Sequence, residues 1–345
     1  MNPVSRSPIQ SQNHYIPGDL GVLAVHALFW IGVGRRRIAA FGATRGQGEK
    51  RAQAVLEQFG NFLVHGLVTG SMYAAVALGL TLTYGILGIL NFAHGEMLMV
   101  GAYIAFVLTS RLGVNFLVAA VISMLAVGLL GWVIERTTFR FARHEHLNGL
   151  VISLGLVAIL QNIALAIWGA DPLSIPPPLP RTLEVWGIRI GEQRLLAFGL
   201  TVGLIILFSL FLKRTRLGKG IRATAQNAHV AATLGIRTER VVAVTFSLAA
   251  ALAGLVGALI ATIYTITPFM GGLPAMKGFV VMILGGLGSV GGSILAGFLV
   301  GVVESFGGGM ISSIFKDGFG FVALILILIF RPWGLFGQRP EREDV

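Results

Sequence analysis

The stretch Asn91-Phe92-Ala93-His94-Gly95-Glu96-Met97-Leu98-Met99-Val100-Gly101-Ala102-Tyr103 places three polar side chains, Asn91, His94 and Glu96, between two long apolar runs. Upstream, residues 61–90 hold no Asp, Glu, Lys or Arg, and downstream, residues 97–110 are apolar again. An ionisable group at the centre of a membrane-spanning helix costs roughly 2.5–3.5 kcal/mol on insertion scales, so such groups face protein or a water-filled path. The stretch therefore reads as a polar break between two membrane helices and as the first candidate for a substrate pathway. Asn91 can accept a hydrogen bond from a backbone N–H two or three residues on, and Glu96 falls near the positive end of the following helix dipole. His94 and Glu96 are two residues apart and do not share a helix face, which argues against a paired proton relay.

Composition extends this reading to the whole chain. Of 345 residues, 55% are hydrophobic and 12% charged, with mean hydropathy +0.81, whereas a soluble domain carries about 25% charged residues. The expected fold is an all-α polytopic membrane protein of about 8–10 transmembrane or partly re-entrant helices, broken near the pathway. The 47 glycines suit close helix contact in lipid. The net charge of +11 is gathered into inter-helix segments with no basic arm interleaved with aromatics. That distribution speaks against nucleic acid and for membrane orientation and anionic-lipid contact. The chain has no cysteine, hence no disulfide framework and no thiolate chemistry.

Apolar segments lie at 62–87, 92–110, 114–134, 147–169, 195–212 and 241–266, with three shorter ones at 275–287, 293–307 and 319–330. The loop 213–240 carries Lys213, Arg214, Arg216, Lys219, Arg222, Arg237 and Arg240 against Glu239 alone. The positive-inside rule makes it cytoplasmic, puts 135–146 on the same side and 170–194 outside. The outer segment is expected to form a Pro-rich turn at 175–180 and a short hairpin at 183–190. Lys277 and the Lys316-Asp317 pair are expected at outer helix ends, where long side chains snorkel. Residues 1–54 differ from the rest: they hold seven basic residues and one apolar stretch, 20–34, too short for a confident span. They are expected to be a disordered extension or a non-native start, with a tenth membrane helix at 20–34 as the alternative, followed by a membrane domain at 55–337 and a tail at 338–345.

Two further patterns stand out. From Gly220 to Gly235, Ile221, Ala225, Ala228, Ala232 and then Ile236 recur at three- and four-residue intervals beside Arg222. This spacing predicts one short cytoplasmic helix with a small-residue face suited to docking, since a helix lying on lipid would present Trp, Phe or Leu. Gly286, Gly288 and Gly291 satisfy G-x-G-x-x-G, but inside a membrane segment, without a βαβ unit, the motif reads as a helix break. Gly285, Gly286 and the lone acid Glu304 join the candidate pathway, and Gly297 with Gly301 forms a packing face. No G-x-x-x-x-G-K-[ST] occurs, so energy must come from outside the chain. His144-Glu145-His146 lacks metal-ligand spacing, and no cofactor, metal set, nucleophile or carboxylate pair points to an enzyme.

The runs GLVTGSMYAAVALGLTLTYGILGIL at 66–90 with NFAHGEMLMVGAY, GKGIRATAQNAHVAATLGI at 218–236 and GFVVMILGGLGSVGGSILAGFLVGVVES at 278–305 resemble the branched-chain amino-acid ABC importer permeases, in their LivH-like subunit. The resemblance covers about 56–337 and leaves out 1–54. It implies a non-enzymatic inner-membrane subunit translocating branched-chain or other hydrophobic amino acids delivered by an external solute-binding protein. It also implies ATP-binding cassette subunits docked on 220–236 and a second permease subunit completing a heterodimer. Two rivals stand beside it. One is a urea or short-amide permease of the same family; the other is an ion-coupled secondary carrier using Asn91, His94, Glu96 and Glu304.

Overall fold

The computed structural model describes residues 45–142, 146–179, 181–185 and 188–337. The apolar stretch 20–34, the His144-Glu145-His146 side chains and the tail 338–345 lie outside them. The chain divides into two compact units, 1–56 and 57–345. Within the first, residues 45–56 are helical, so helix α1 (Arg45–Leu87) reaches back into the segment set aside as an extension.

In the second unit α1 is followed by α2 (His94–Phe106), α3 (Phe116–Ile134) and α4 (His146–Trp168). A β-hairpin comes next, β1 (Thr182–Val185) with β2 (Ile188–Gly191), then α5 (Glu192–Arg214). Two short helices, α6 (Arg216–Gln226) and α7 (Ala228–Thr233), lead to α8 (Thr238–Ile260), α9 (Gly272–Gly285), α10 (Val290–Met310) and α11 (Lys316–Phe330). Among the described residues six helices are long and apolar enough to cross a membrane, in α1, α3, α4, α5, α8 and α10. The remaining expected segments fall on the shorter α2, α9 and α11. This is the polytopic all-α architecture the hydropathy pattern implies. Side-chain caps mark several starts: Asn115 accepts from Leu117 N at 2.9 Å, and Ser289 from Gly292 N at 3.2 Å.

Glycine decides how these helices pack. Gly66, Gly70 and Ala74 on α1 run antiparallel to Gly297, Gly301 and Ser305 on α10, so closely that a Cβ at Gly70 would meet the Gly297 and Phe298 backbone. The Gly297/Gly301 packing face thus has its partner in a matching small-xxx-small row. A second seam joins α8 to α2 and α3: a Cβ at Gly101 would meet Gly254, one at Gly254 would meet Val127, and Ser247 Oγ donates to Gly128 O at 2.7 Å. In lipid there is no hydrophobic drive between helices, so this backbone-close dispersion contact is what binds them.

Contacts between loops sort the two ends of the bundle. Leu173, after α4, and Ile266, after α8, exchange backbone hydrogen bonds at 2.9 and 2.8 Å, beside the antiparallel hairpin that pairs Leu183 with Ile190 and Glu184 with Arg189. At the other end Arg140 reaches Glu239 at 3.5 Å. The segments 135–146 and 213–240, assigned to the same side from charge alone, are therefore neighbours.

Candidate functional site

The break at 91–96 folds back on the helix that precedes it. Asn91 Oδ1 accepts from Ala93 N at 3.1 Å, turning the chain so that α2 starts at His94. The His94 ring lies against Gly79, where any Cβ would strike the imidazole. Gly79 is eight residues before the end of α1, about 12 Å at 1.5 Å per residue, so α2 begins beside the middle of α1 rather than at its tip. His94 and Glu96 are both buried and face different neighbours. Glu96 Oε1 accepts from Gln161 Nε2 of α4 at 2.9 Å. His94 sits near the Val76 backbone without reaching full hydrogen-bond geometry. Asn91 Nδ2, Glu96 Oε2 and the hydroxyl of Tyr103, whose ring stacks on Trp168 at 4.4 Å, also have no protein partner among the described residues. The turn TPFMGGLP at 267–274 meets this cluster: Gly95 and Gly271 approach backbone to backbone, and Phe92 packs on Phe279 with centroids 4.9 Å apart.

The other pathway candidates lie elsewhere. Glu304 is paired with Lys277 of α9, both essentially without exposure (0% and 1%). The placement of Lys277 at an exposed outer helix end is thereby corrected. Its ammonium is enclosed by four helices, also donating to Asp317 O at 2.7 Å, while Tyr73 OH donates to Glu304 Oε2 at 3.0 Å. A buried cation must be paired and fully hydrogen-bonded, and this set of partners does so without snorkelling. Gly320 leaves room for the Glu304 carboxylate, which a Cβ there would strike. Gly285 and Gly286 end α9 in another way. The carbonyls of Leu284 and Gly285 accept from Leu335 N and Phe336 N at 2.8 and 3.1 Å, and Gly286 turns with φ 104° against the Gly337 backbone. The C-terminal segment thus caps the broken helix.

The segment 220–236 departs from the single helix its spacing suggests. It is two helices, α6 and α7, separated at Asn227 (φ −158°, ψ 106°), whose side chain caps α7 by accepting from Val230 N at 3.0 Å. Asn competes for backbone donors and favours caps over helix interiors, and that preference breaks the three-and-four periodicity. The face divides accordingly. Ile221 is buried and Ile236 packs against the core, while Ala225, Ala228 and Ala232 stay exposed with Val230 (51%) and Leu234 (76%). Gly235 closes the pair at φ 83°, and a Cβ at Gly220 would make only ordinary contact with Val241 and Ile236. Ile221, Arg222 and Ala225 also line a cleft of about 260 Å³ with Thr81, Gly288 and Gly291. The glycine run thus neighbours α6.

Sequence reading missed Gln161 and Tyr73. Each lies in a span with other polar residues, Asn162 beside Gln161 and Ser71 near Tyr73, so neither stands out as the lone acid Glu304 does.

The model of the family described as branched-chain amino acid transport system, permease component, matches residues 62–330. The chain belongs to this family. A permease protein of a high-affinity branched-chain amino acid transport system, BraD of Pseudomonas aeruginosa, is 37% identical over 298 residues, covering 82% of this chain and 97% of the relative. LivH of Escherichia coli, a permease protein of the same kind of system, is 34% identical over 307 residues, covering 84% and 99%. LivM of Escherichia coli, a second permease protein of such a system, is 26% identical over 298 residues, covering 78% of this chain and 69% of its own. No solved structure matches. The permease is thus a multi-pass membrane transport component, from a family of transporters and not of enzymes.

Proposed function

We propose that this permease is the inner-membrane subunit of an ABC importer, moving branched-chain or other hydrophobic amino acids delivered by an external solute-binding protein. A second permease subunit completes the path, and separate ATP-binding cassette subunits drive it. The observation that carries this reading, beyond family membership, is the exposed surface Ala225, Ala228, Val230, Ala232 and Leu234 on the basic, cytoplasmic end of the bundle. The three alanines let a protein partner approach closely, and the cleft beside α6 reaches Thr81 of α1 and Gly288 in the turn after α9, so movement of the elbow acts on both.

The substrate path in this reading passes the break at 91–96 and the turn at 267–274, with Asn91, His94 and Glu96 as its polar groups. A zwitterion with a branched apolar side chain needs polar groups for its ends, apolar walls for the rest, and binding weak enough for release. Tyr103, Trp168, Phe92 and Phe279 supply such walls. The chain acts as a pore subunit without catalysis of its own. Proteoliposomes holding the permease with its partner subunits and binding protein are expected to take up labelled leucine only with internal ATP. Uptake of urea with no entry or competition by leucine would overturn the substrate. Leucine uptake driven by an ion gradient without ATP would overturn the ABC mechanism.

A further inference from the structure

A second polar site lies nearer the start of α1 than the break at 91–96, beside residues 62–72 rather than Gly79. A cavity of about 280 Å³, close to the roughly 300 Å³ at which small-ligand sites begin, opens between α1, α5, α10, α11 and the loop after α8. Three of its lining residues are His65, Arg194 and Lys316, and none is acidic. Arg194 Nη1 lies within hydrogen-bond distance of His65 Nδ1, and Arg194 and Lys316 both act electrostatically on His65, so the three groups form one cluster. Among the described residues no carboxylate pairs with Arg194 or Lys316. Asp317, the acid next to Lys316, turns the other way to Lys277 at 3.5 Å. Phe62, Val68 and Met72, on the same helix as His65, supply an apolar part of the wall.

Gathering uncompensated cations around one cavity costs like-charge repulsion, which an anionic ligand removes. Arg194 spends part of its guanidinium on His65, but its five N–H donors leave others for a carboxylate. We infer that this cavity is an external vestibule site for the substrate's carboxylate, holding a small amino acid by its anionic end, with the side chain on the apolar wall, before it passes inward. The inference rests on the amino-acid reading above and sharpens it, since urea and neutral amides have no group for such a cluster.

The test uses the permease assembled with its partner subunits and binding protein in proteoliposomes. Lys316→Gln and Arg194→Gln are each expected to reduce leucine uptake at saturating binding protein by at least about tenfold, the lower end of what one hydrogen bond to a charged group is worth. Lys316→Arg is expected to keep at least about half of wild-type uptake. Lys316, partly exposed at the rim, supplies the variant least apt to disturb folding, and co-purification of the other subunits checks assembly. Affinity of the complex for the loaded binding protein is expected to stay unchanged. A Lys316→Gln, Arg194→Gln double variant carrying leucine within about twofold of wild type would overturn the site. So would an equal loss of binding-protein affinity, which would make the cluster a protein-docking patch. A wild-type complex that carries urea and no leucine overturns the functional reading instead, and the two failures are thus distinguishable.

Discussion

Two buried polar clusters lie in the same bundle and differ in one respect. Around Glu304, each charged or polar group has its partner: Lys277, Tyr73 and the Asp317 backbone close the network across α1, α9, α10 and α11. Around His94, the histidine nitrogens, the Asn91 amide, one Glu96 oxygen and the Tyr103 hydroxyl lack protein partners. A satisfied network in a low-dielectric interior rigidifies what it joins, while an unsatisfied one retains free energy that a ligand or a movement can recover. The first cluster is therefore a staple, and the second fits the substrate path proposed above. Both were singled out as pathway candidates because a charged residue in an apolar segment looks the same in sequence whichever role it has.

The sharpest way to break that contrast is to remove one member of the staple. Glu304→Ala leaves the Lys277 ammonium buried and alone, and is expected to destabilise the permease by about 3–5 kcal/mol. The readout is a collapse in monodisperse protein after detergent extraction and a lowered melting temperature. Replacing both members, Lys277→Met with Glu304→Leu, should recover most of that loss, because a volume-matched apolar pair carries no desolvation penalty. If the single variant is as stable as wild type, the network is not a staple. If the double variant is stable but carries no substrate, Glu304 belongs to the pathway after all.

Next in size is the elbow of α6 and α7. Ala232→Arg places a guanidinium on an exposed surface, so stability should hardly change, while uptake and substrate-stimulated ATP hydrolysis should fall together by at least about tenfold if a close-packed partner sits there. Wild-type values of both would sink the docking role of α6 and α7.

The unsatisfied cluster should respond in the reverse sense to the staple. His94→Ala removes buried nitrogens that have no partner, so the cost in stability is confined to the lost ring packing, about 1 kcal/mol or less once the unmet polar groups are credited. Leucine uptake is expected to drop about tenfold. Glu96→Gln keeps the reach to Gln161 and tests the charge alone. A His94→Ala permease that transports normally but unfolds readily would exchange the roles of the two clusters.

What the chain disclosed before folding, and what it withheld, follows the physics of each signal. Charge-free runs bounded by basic loops are a one-dimensional property, so all nine apolar segments fall on helices. The row Gly297, Gly301 was legible as a packing face, yet its partner Gly66, Gly70, Ala74 was not, because pairing across more than two hundred residues leaves no local trace. Lys277 was misplaced for the same reason. Its counter-charge is 27 residues away and one helix over, and an unpaired lysine in an apolar run suggests a helix end. The elbow at Asn227 did have a local signal, a residue that prefers capping, and helical spacing on both sides of it obscured the break.

The smallest effect expected is at the amino terminus, and it sharpens the comparison by asking whether α1 needs its first turns to hold either cluster. Tyr73, which serves the staple, and Gly79, which seats His94, both lie in the apolar part of α1, which is span-length from Val55 onward. The family match begins at residue 62. A helix whose stability comes from the Gly66, Gly70, Ala74 seam draws little from residues 45–54, since isolated helical turns in water are marginal. A chain beginning at Leu56 behind an initiator methionine should therefore insert, keep its melting temperature within about 2 °C and transport at a rate within about twofold of the full chain. Loss of insertion would mean that the first 55 residues help set the orientation of α1. Normal insertion with lost transport would instead give them a role in the working complex.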